Sequence, residues 1–276
     1  IEGDLADRAA LERVFAARKY DAVMHFASFI EVGESVRLPA KYYRNNVSNT
    51  LNLLECMQAA GVEQFIFSST AAIFGTPQRV PIDETHPTNP INPYGRSKLM
   101  VEQMLADLAR AHGLRSVCLR YFNAAGADPD GQLGERHNPE THLIPLVLQA
   151  ASGRRPFMSV FGTDYDTPDG TCIRDYVHVA DLCEAHWLAL QSLAQGEGSQ
   201  AYNLGNGDGF SVFEVIDTVR KVTGREFTVK HETRRAGDPS RLVADSSAAR
   251  QKLGWVPKYP SLQTIVEHAW AFEQRR

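Results

Sequence analysis

The chain has 276 residues, with 29 Lys and Arg against 33 Asp and Glu and a formal net charge of -4. That length buries a large core in one or two domains, and the acidic balance excludes nucleic acid as the main partner, because a phosphate backbone is gripped by a positive field. No apolar run reaches the ~18 residues that span a bilayer and no secretory signal is present, so no membrane partner and a cytoplasmic location are expected. Cys56, Cys118, Cys172 and Cys183 lie far apart, with no Cys-x-x-Cys pair and no histidine at ligand spacing. They read as free thiols of a reducing compartment, and no metal site is expected.

In chain order, the sequence opens Ile1-Glu2-Gly3-Asp4, without Met, and reads as if cut at the end of a strand. A helical pattern from Arg8 to Arg18 leads into a short apolar run, Asp21 to Ala27. Tyr42 to Ala60 places Val47, Leu51, Leu54 and Met57 near one helix face and stops at Gly61. Gln64 to Ser69 is a second apolar run, Tyr94 to His112 a second long helix that stops at Gly113, and Ser116 to Phe122 a third apolar run. Runs apolar on both faces suit the buried strands of a parallel sheet. Their alternation with helices predicts an α/β fold, a doubly wound parallel sheet with helices on both faces. Ala127 to Glu140 is rich in Gly, Asp, Asn and Pro and reads as a loop at a domain boundary. Beyond it, helices are expected over Leu143–Ser152, Val179–Leu193, Ser211–Val222 and Ser261–Glu273, with Ser211 and Glu214 forming a capping box.

Sheets of this kind commonly grip a dinucleotide with a Gly-x-Gly-x-x-Gly turn after the first strand. The nearest look-alike, Gly205-Asn-Gly-Asp-Gly209, carries its last glycine one place early and reads better as a turn feeding the Ser211 helix. A true fingerprint is expected before Ile1.

Tyr94-Gly-Arg-Ser-Lys98 follows Pro93 and is the one Tyr-x-x-x-Lys of the chain. On a helix the two side chains share a face. A free tyrosine ionises near pKa ~10, and a cation one turn away favours the phenolate by roughly 1–3 pKa units. That makes Tyr94 a candidate base for a hydroxyl proton, although a chance pair on a solvated face is an equal reading of this motif alone. Phe67-Ser-Ser-Thr70 closes an apolar strand with hydroxyl groups, where open α/β sheets place their sites; a turn or helix cap is the other reading. Pro90-Ile-Asn-Pro-Tyr94 fixes the entry to the Tyr94 helix, and Arg120-Tyr-Phe-Asn123 closes the next strand with further polar groups.

Together with these segments, His25-Phe-Ala-Ser-Phe-Ile-Glu-Val-Gly-Glu-Ser35, Asn45-Asn-Val47, Arg120-Tyr-Phe-Asn-Ala-Ala-Gly126, Asp169-Gly-Thr-Cys-Ile-Arg-Asp-Tyr176 and Arg234-Arg-Ala-Gly-Asp238 follow in an order that resembles the extended short-chain dehydrogenase/reductase superfamily, and within it the UDP-glucose (UDP-galactose) 4-epimerases. The resemblance runs from Gly3 to the end of the chain. It implies a Rossmann-type NAD-binding domain over 1–126, lacking its first strands and Gly-rich turn, and a smaller α+β domain over 127–276 that mainly binds the UDP-sugar. It also implies a tightly held NAD and a homodimer built through helices like Tyr42–Ala60 and Tyr94–His112.

Carried over residue by residue, the resemblance implies catalytic roles for Thr70, Tyr94 and Lys98. It implies a cofactor site of Asp4, Phe26, Ala27, Ser28, Asn45, Ser68, Tyr94, Lys98 and Phe122. The implied substrate site is Thr70, Asn123, His142, Leu143, Phe161, Arg174, Tyr176, Arg235, Asp238 and Leu242. Paired arginines around a diphosphate make physical sense through forked, charge-assisted hydrogen bonds. Taken singly, Arg174 reads as an ion pair with Asp175, and Arg235 as a solvated surface charge.

The implied reaction inverts C4 of a UDP-sugar through a transient 4-keto sugar. Ala71 and Ala72 stand where related dehydratases carry acids, which favours an epimerase. An epimerase of another UDP-sugar, or an inactive fragment serving as a binding module, are the alternatives. Ile30 departs from a lysine found near the cofactor phosphates in some relatives, and Phe74 from a tyrosine. Leu242 departs from a larger residue that limits room at the sugar C2 substituent, so N-acetylated sugars are expected to be admitted. With no Gly-rich turn in it, the sequence as written is expected to bind NAD poorly.

Overall fold

The computed structural model describes residues 1–235 and 238–275 and folds them as two compact units. Residues 1–75, 87–120 and 186–202 make the first; residues 76–86, 121–185 and 203 onward make the second. Of the Arg234–Asp238 motif, Ala236 and Gly237 lie outside the described residues.

In the first unit, helix Arg8–Ala17 starts at Asp7, whose carboxylate accepts the Ala10 amide at 2.9 Å. Strand Val23–His25 follows and pairs in parallel with Gln64–Thr70, Val23 opposite Phe65 and His25 opposite Phe67. The sheet continues with Arg115–Tyr121 and then Gln200–Leu204. Phe65, Ile66 and Phe67 are fully buried, as a run apolar on both faces requires. Leu53, Leu54, Met57, Val101 and Leu105 pack with Phe65 and Phe67 in the unit's core.

The long helix expected over Tyr42–Ala60 is interrupted. Helix Pro39–Tyr42 passes into a π-helical stretch, Tyr43–Ser48, before the regular helix Asn49–Ala59. The wider turn holds Asn46, 1% exposed, whose side chain takes the Phe29 amide at 2.9 Å and donates to the Phe29 carbonyl and to Ser97 Oγ, each at 3.0 Å. Helix Pro93–His112 matches its expected extent within a residue. Asn92 caps it through the Gly95 amide at 2.8 Å, Pro93 fills the first position, and Gly113 ends it at φ 74°.

The second unit is built from short strands. Asn123–Ala125 runs parallel to Tyr176–His178, Met158–Phe161 parallel to Val229–Glu232, and Arg241–Leu242 parallel to Ile173–Arg174. Helices Leu143–Ala151, Val212–Thr223 and Leu262–Glu273 close the core with Ile144, Val147, Val215, Ile216, Ile265 and Val266. The Ser211–Glu214 capping box is present in full. Among the described residues no helix is long and apolar enough to cross a membrane.

Candidate functional site

Within the first unit, the C-terminal end of strand Gln64–Thr70 meets the first turns of helix Pro93–His112. Lys98 is 3% exposed and its Nζ donates to the Ser68 carbonyl at 2.8 Å, 4.8 Å from the centre of the Phe67 ring. Burial pushes the Lys98 ammonium down to about 7, opposed by the charge of Glu102. Thr70 ends the strand, and its Oγ1 accepts the Ala72 amide at 3.1 Å to start the 3-10 turn Ala71–Ile73. The hydroxyl is therefore a cap through its lone pair and still has an O–H to give. Tyr94 sits half-buried in the first turn of the helix. Its neighbour Gly95 allows the close approach, since a Cβ there stands 2.5 Å from the Ala72 carbonyl oxygen.

A buried ion pair that motif reading missed supports this corner. Glu102, one turn beyond Lys98, accepts from Ser69 Oγ at 2.5 Å and takes both arms of Arg120, Nε at 3.0 Å and Nη2 at 2.5 Å. Arg120 is thus not a free polar group offered at the strand end; its side chain is 11% exposed and committed to Glu102. The spacing Tyr94, Lys98, Glu102, every fourth residue, was the available signal. On the other side, Ser68 Oγ lies 3.2 Å from His186 Nε2, and the His186 ring packs 4.9 Å from Phe26. Burial, then the Lys98 charge, pushes His25 down to about 4.

The residues expected to hold a dinucleotide divide unevenly. Asp4, Phe26, Ala27, Ser28, Asn45 and Ser68 belong to the first unit with Tyr94 and Lys98; Phe122 belongs to the second. Ser28 Oγ is buried without a hydrogen-bond partner, and Phe26 is 59% exposed just beyond its strand. Lys98 gives Ser68 one of its three N–H groups. An orphaned hydroxyl and a largely exposed aromatic ring just beyond strand Val23–His25, with a buried ammonium at the neighbouring strand Gln64–Thr70, suit a ligand that is part sugar and part flat ring. The donor set fits NAD.

In the second unit, Arg174 pairs with Asp238, not with Asp175. Asp175 is fully buried and its carboxylate takes the amides of Asn206, Gly207 and Ala244 at 2.7, 3.0 and 3.1 Å. That is how the Gly205–Gly209 turn is held. The Arg235 guanidinium lies 3.9 Å over the Phe161 ring, more than a solvated charge. Leu242 is opposite Arg174 in the strand register. Asn123 donates to the Asp175 carbonyl at 2.9 Å. Tyr176 is 4% exposed within the apolar core, where burial pushes its phenol up. His142 precedes the helix that Leu143 begins and turns its Nδ1 to Glu135.

Comparison with known proteins shows the family. Residues 1–205 match the model of the NAD dependent epimerase/dehydratase family. The UDP-glucose 4-epimerase of Halalkalibacterium halodurans is 53% identical over 268 residues, 97% of this chain and 80% of its own. The crystal structure of UDP-glucose 4-epimerase from Brucella ovis in complex with NAD superposes with a TM-score of 0.96 at 52% identity, over 98% of this chain and 83% of that one. A UDP-Glc/GlcNAc 4-epimerase from Campylobacter jejuni gives 0.87 at 48% identity, over 100% of this chain and 84% of its own. With Thr70, Tyr94 and Lys98 held at one strand end and identities of this size over nearly the whole chain, the protein belongs to the NAD-dependent epimerase/dehydratase family.

Proposed function

We propose that the protein interconverts UDP-glucose and UDP-galactose by inverting C4, with NAD as its resident cofactor. The observation that carries this is the buried Lys98 one helical turn after Tyr94, beside the strand that ends at Thr70. Tyr94 takes the C4 hydroxyl proton on its phenolate oxygen and later returns it to O4. Lys98 in its protonated form stabilises that phenolate from a position kept from water, and Thr70 directs its remaining O–H at the sugar O4. Asp4, Phe26, Ala27, Ser28, Asn45, Ser68, Lys98 and Phe122 would hold NAD, which when bound takes up the C4 hydride and gives it back to the other face of the keto sugar. Arg174, Arg235 and Asp238, with Asn123, His142, Leu143, Phe161, Tyr176 and Leu242, would line the UDP end. Ala71 and Ala72 offer no acid or base for eliminating water, so the keto sugar is only reduced again.

A second sugar pair follows from Leu242. It is half-buried, opposite Arg174, and is smaller than the tyrosine that would crowd a C2 substituent. In an assay of UDP-sugars at equilibrium, the wild type is expected to convert both the UDP-glucose and the UDP-N-acetylglucosamine pairs, and Leu242→Tyr to lose the N-acetyl pair selectively. Equal failure of both proteins on the N-acetyl pair discards this reading of Leu242; failure of the wild type on every hexose pair discards the proposed reaction.

The same reading has the enzyme working in the cytoplasm as a homodimer. Leu51, on helix Asn49–Ala59, and Met100, on helix Pro93–His112, are 39% and 41% exposed, which supplies apolar surface for a second copy. Sedimentation is expected to give twice the chain mass, and a monomer at micromolar concentration overturns it.

A further inference from the structure

We propose that Glu135, His137, Glu140 and His142 form a binding site for one divalent transition-metal ion, Zn2+ by the preference of its ligands. All four belong to the second unit, in the stretch between strand Asn123–Ala125 and helix Leu143–Ala151. No cysteine takes part; the signal is the pattern Glu-x-His-x-x-Glu-x-His.

The first half of that stretch is pinned. Ala127 and Gly134 pair as an isolated bridge, Asp128 N–H donates to the Leu133 carbonyl at 2.9 Å, and Arg275 donates to the Gly131 carbonyl at 2.8 Å. Gly134 fits against the Phe272 ring with no room for a Cβ, and the Arg136 guanidinium lies 5.2 Å from the centre of that ring. From this anchored base the chain turns four potential ligands to one point. His137 Nδ1 is 2.8 Å from Glu135 Oε1 and 3.6 Å from Glu140 Oε1. His142 Nδ1 also contacts Glu135 Oε1 and is 4.0 Å from Glu140 Oε1. One ligand atom from each residue lies within 4.8 Å of all the others.

That spacing suits a small tetrahedral ion. With metal–ligand bonds of about 2.0 Å, neighbouring ligand atoms stand roughly 3.3 Å apart, in the middle of the distances here. Two imidazole nitrogens with two carboxylates favour zinc over magnesium or calcium, which take all-oxygen sets. The two carboxylates bring negative charge that a divalent cation balances. Glu140 is oriented independently of any ion: its Oε1 accepts the Thr141 and His142 amides at 2.8 and 2.9 Å, and its side chain is 4% exposed. Such outer contacts hold a ligand ready for its metal. The rings of His137 and His142 are 38% and 43% exposed, so an ion can enter from solvent. Bound there, it would clasp residues 135–142 to the start of helix Leu143–Ala151.

The test is metal analysis of the purified protein, stripped with EDTA, reloaded with zinc and desalted. One zinc per chain is expected to be retained, with a higher Tm than the stripped protein. Cobalt reloading is expected to give the intense visible absorption of a four-coordinate ion. His137→Gln and Glu135→Gln are each expected to weaken zinc binding by more than about 100-fold, because removing a ligand costs more than disturbing an outer contact. A stripped protein that retains no zinc and shows no rise in Tm overturns the site, without recourse to any variant. Undiminished zinc in both variants also overturns it, by assigning the ion elsewhere, for example to the exposed Cys183.

Discussion

Turnover of the Tyr94→Phe enzyme is expected to fall by about two to four orders of magnitude, the usual contribution of a positioned proton acceptor, while UDP binds as before. Phenylalanine keeps the ring and its packing but has no oxygen to receive a proton. Gly95 keeps the helix against the Ala71–Ile73 turn in either protein, so the change is confined to one atom. The lost activity should appear in kcat, with little change in the concentration of UDP-sugar at half-saturation, because the phenolate matters most as the proton moves. Near-normal turnover of Tyr94→Phe removes Tyr94 as the base.

Lys98→Met carries the second large effect, with two signs. Lys98 gives an N–H to the Ser68 carbonyl beside the proposed cofactor residues, so the variant is expected to bind added NAD more weakly than the wild type and to lose activity. Its stability should move the other way. Burial holds the Lys98 pKa near 7 in the folded protein, against about 10.4 in an unfolded chain. Between those two pH values the unfolded chain binds the extra proton, so unfolding becomes harder as pH rises through this window. Below about pH 7 the burial cost is present in full. Each pKa unit is worth about 1.4 kcal/mol, partly offset by the lost hydrogen bond of about 1 kcal/mol. Lys98→Met is therefore expected to be more stable at pH 7 by a few kcal/mol, and to lose this rise in stability toward pH 10. A variant that is less stable than wild type at pH 7, with the slope unchanged, refutes the argument from burial.

The legible parts of the fold were those that local chemistry decides. Gln64–Thr70 is a continuous apolar run closed by hydroxyls, and Pro93–His112 carries its own start in Asn92 and Pro93 and its own stop in Gly113. Thr70, Tyr94 and Lys98 could be grouped because two of them share a helix and the third ends a strand. What escaped was set by distant partners. The π-helical turn at Tyr43–Ser48 houses Asn46, whose partners Phe29 and Ser97 are remote in sequence. Helix Val32–Arg37 is too short for periodicity to reveal. Arg174, in a strand of only two residues, meets Asp238 across 64 residues, in the loop before another two-residue strand, so nothing local marked the pair and the adjacent Asp175 was the partner that sequence offered.

The interleaving of the two units has a consequence for synthesis. N-terminal domains ordinarily finish folding while the ribosome is still at work on the rest. Here the outer strand of the four-stranded sheet, Gln200–Leu204, emerges only after all of residues 121–185 have been translated. Until then the Arg115–Tyr121 strand is left with an unsatisfied flank, a template for wrong pairing. The nascent protein must wait, partly sheltered, for a late arrival to complete its earliest half.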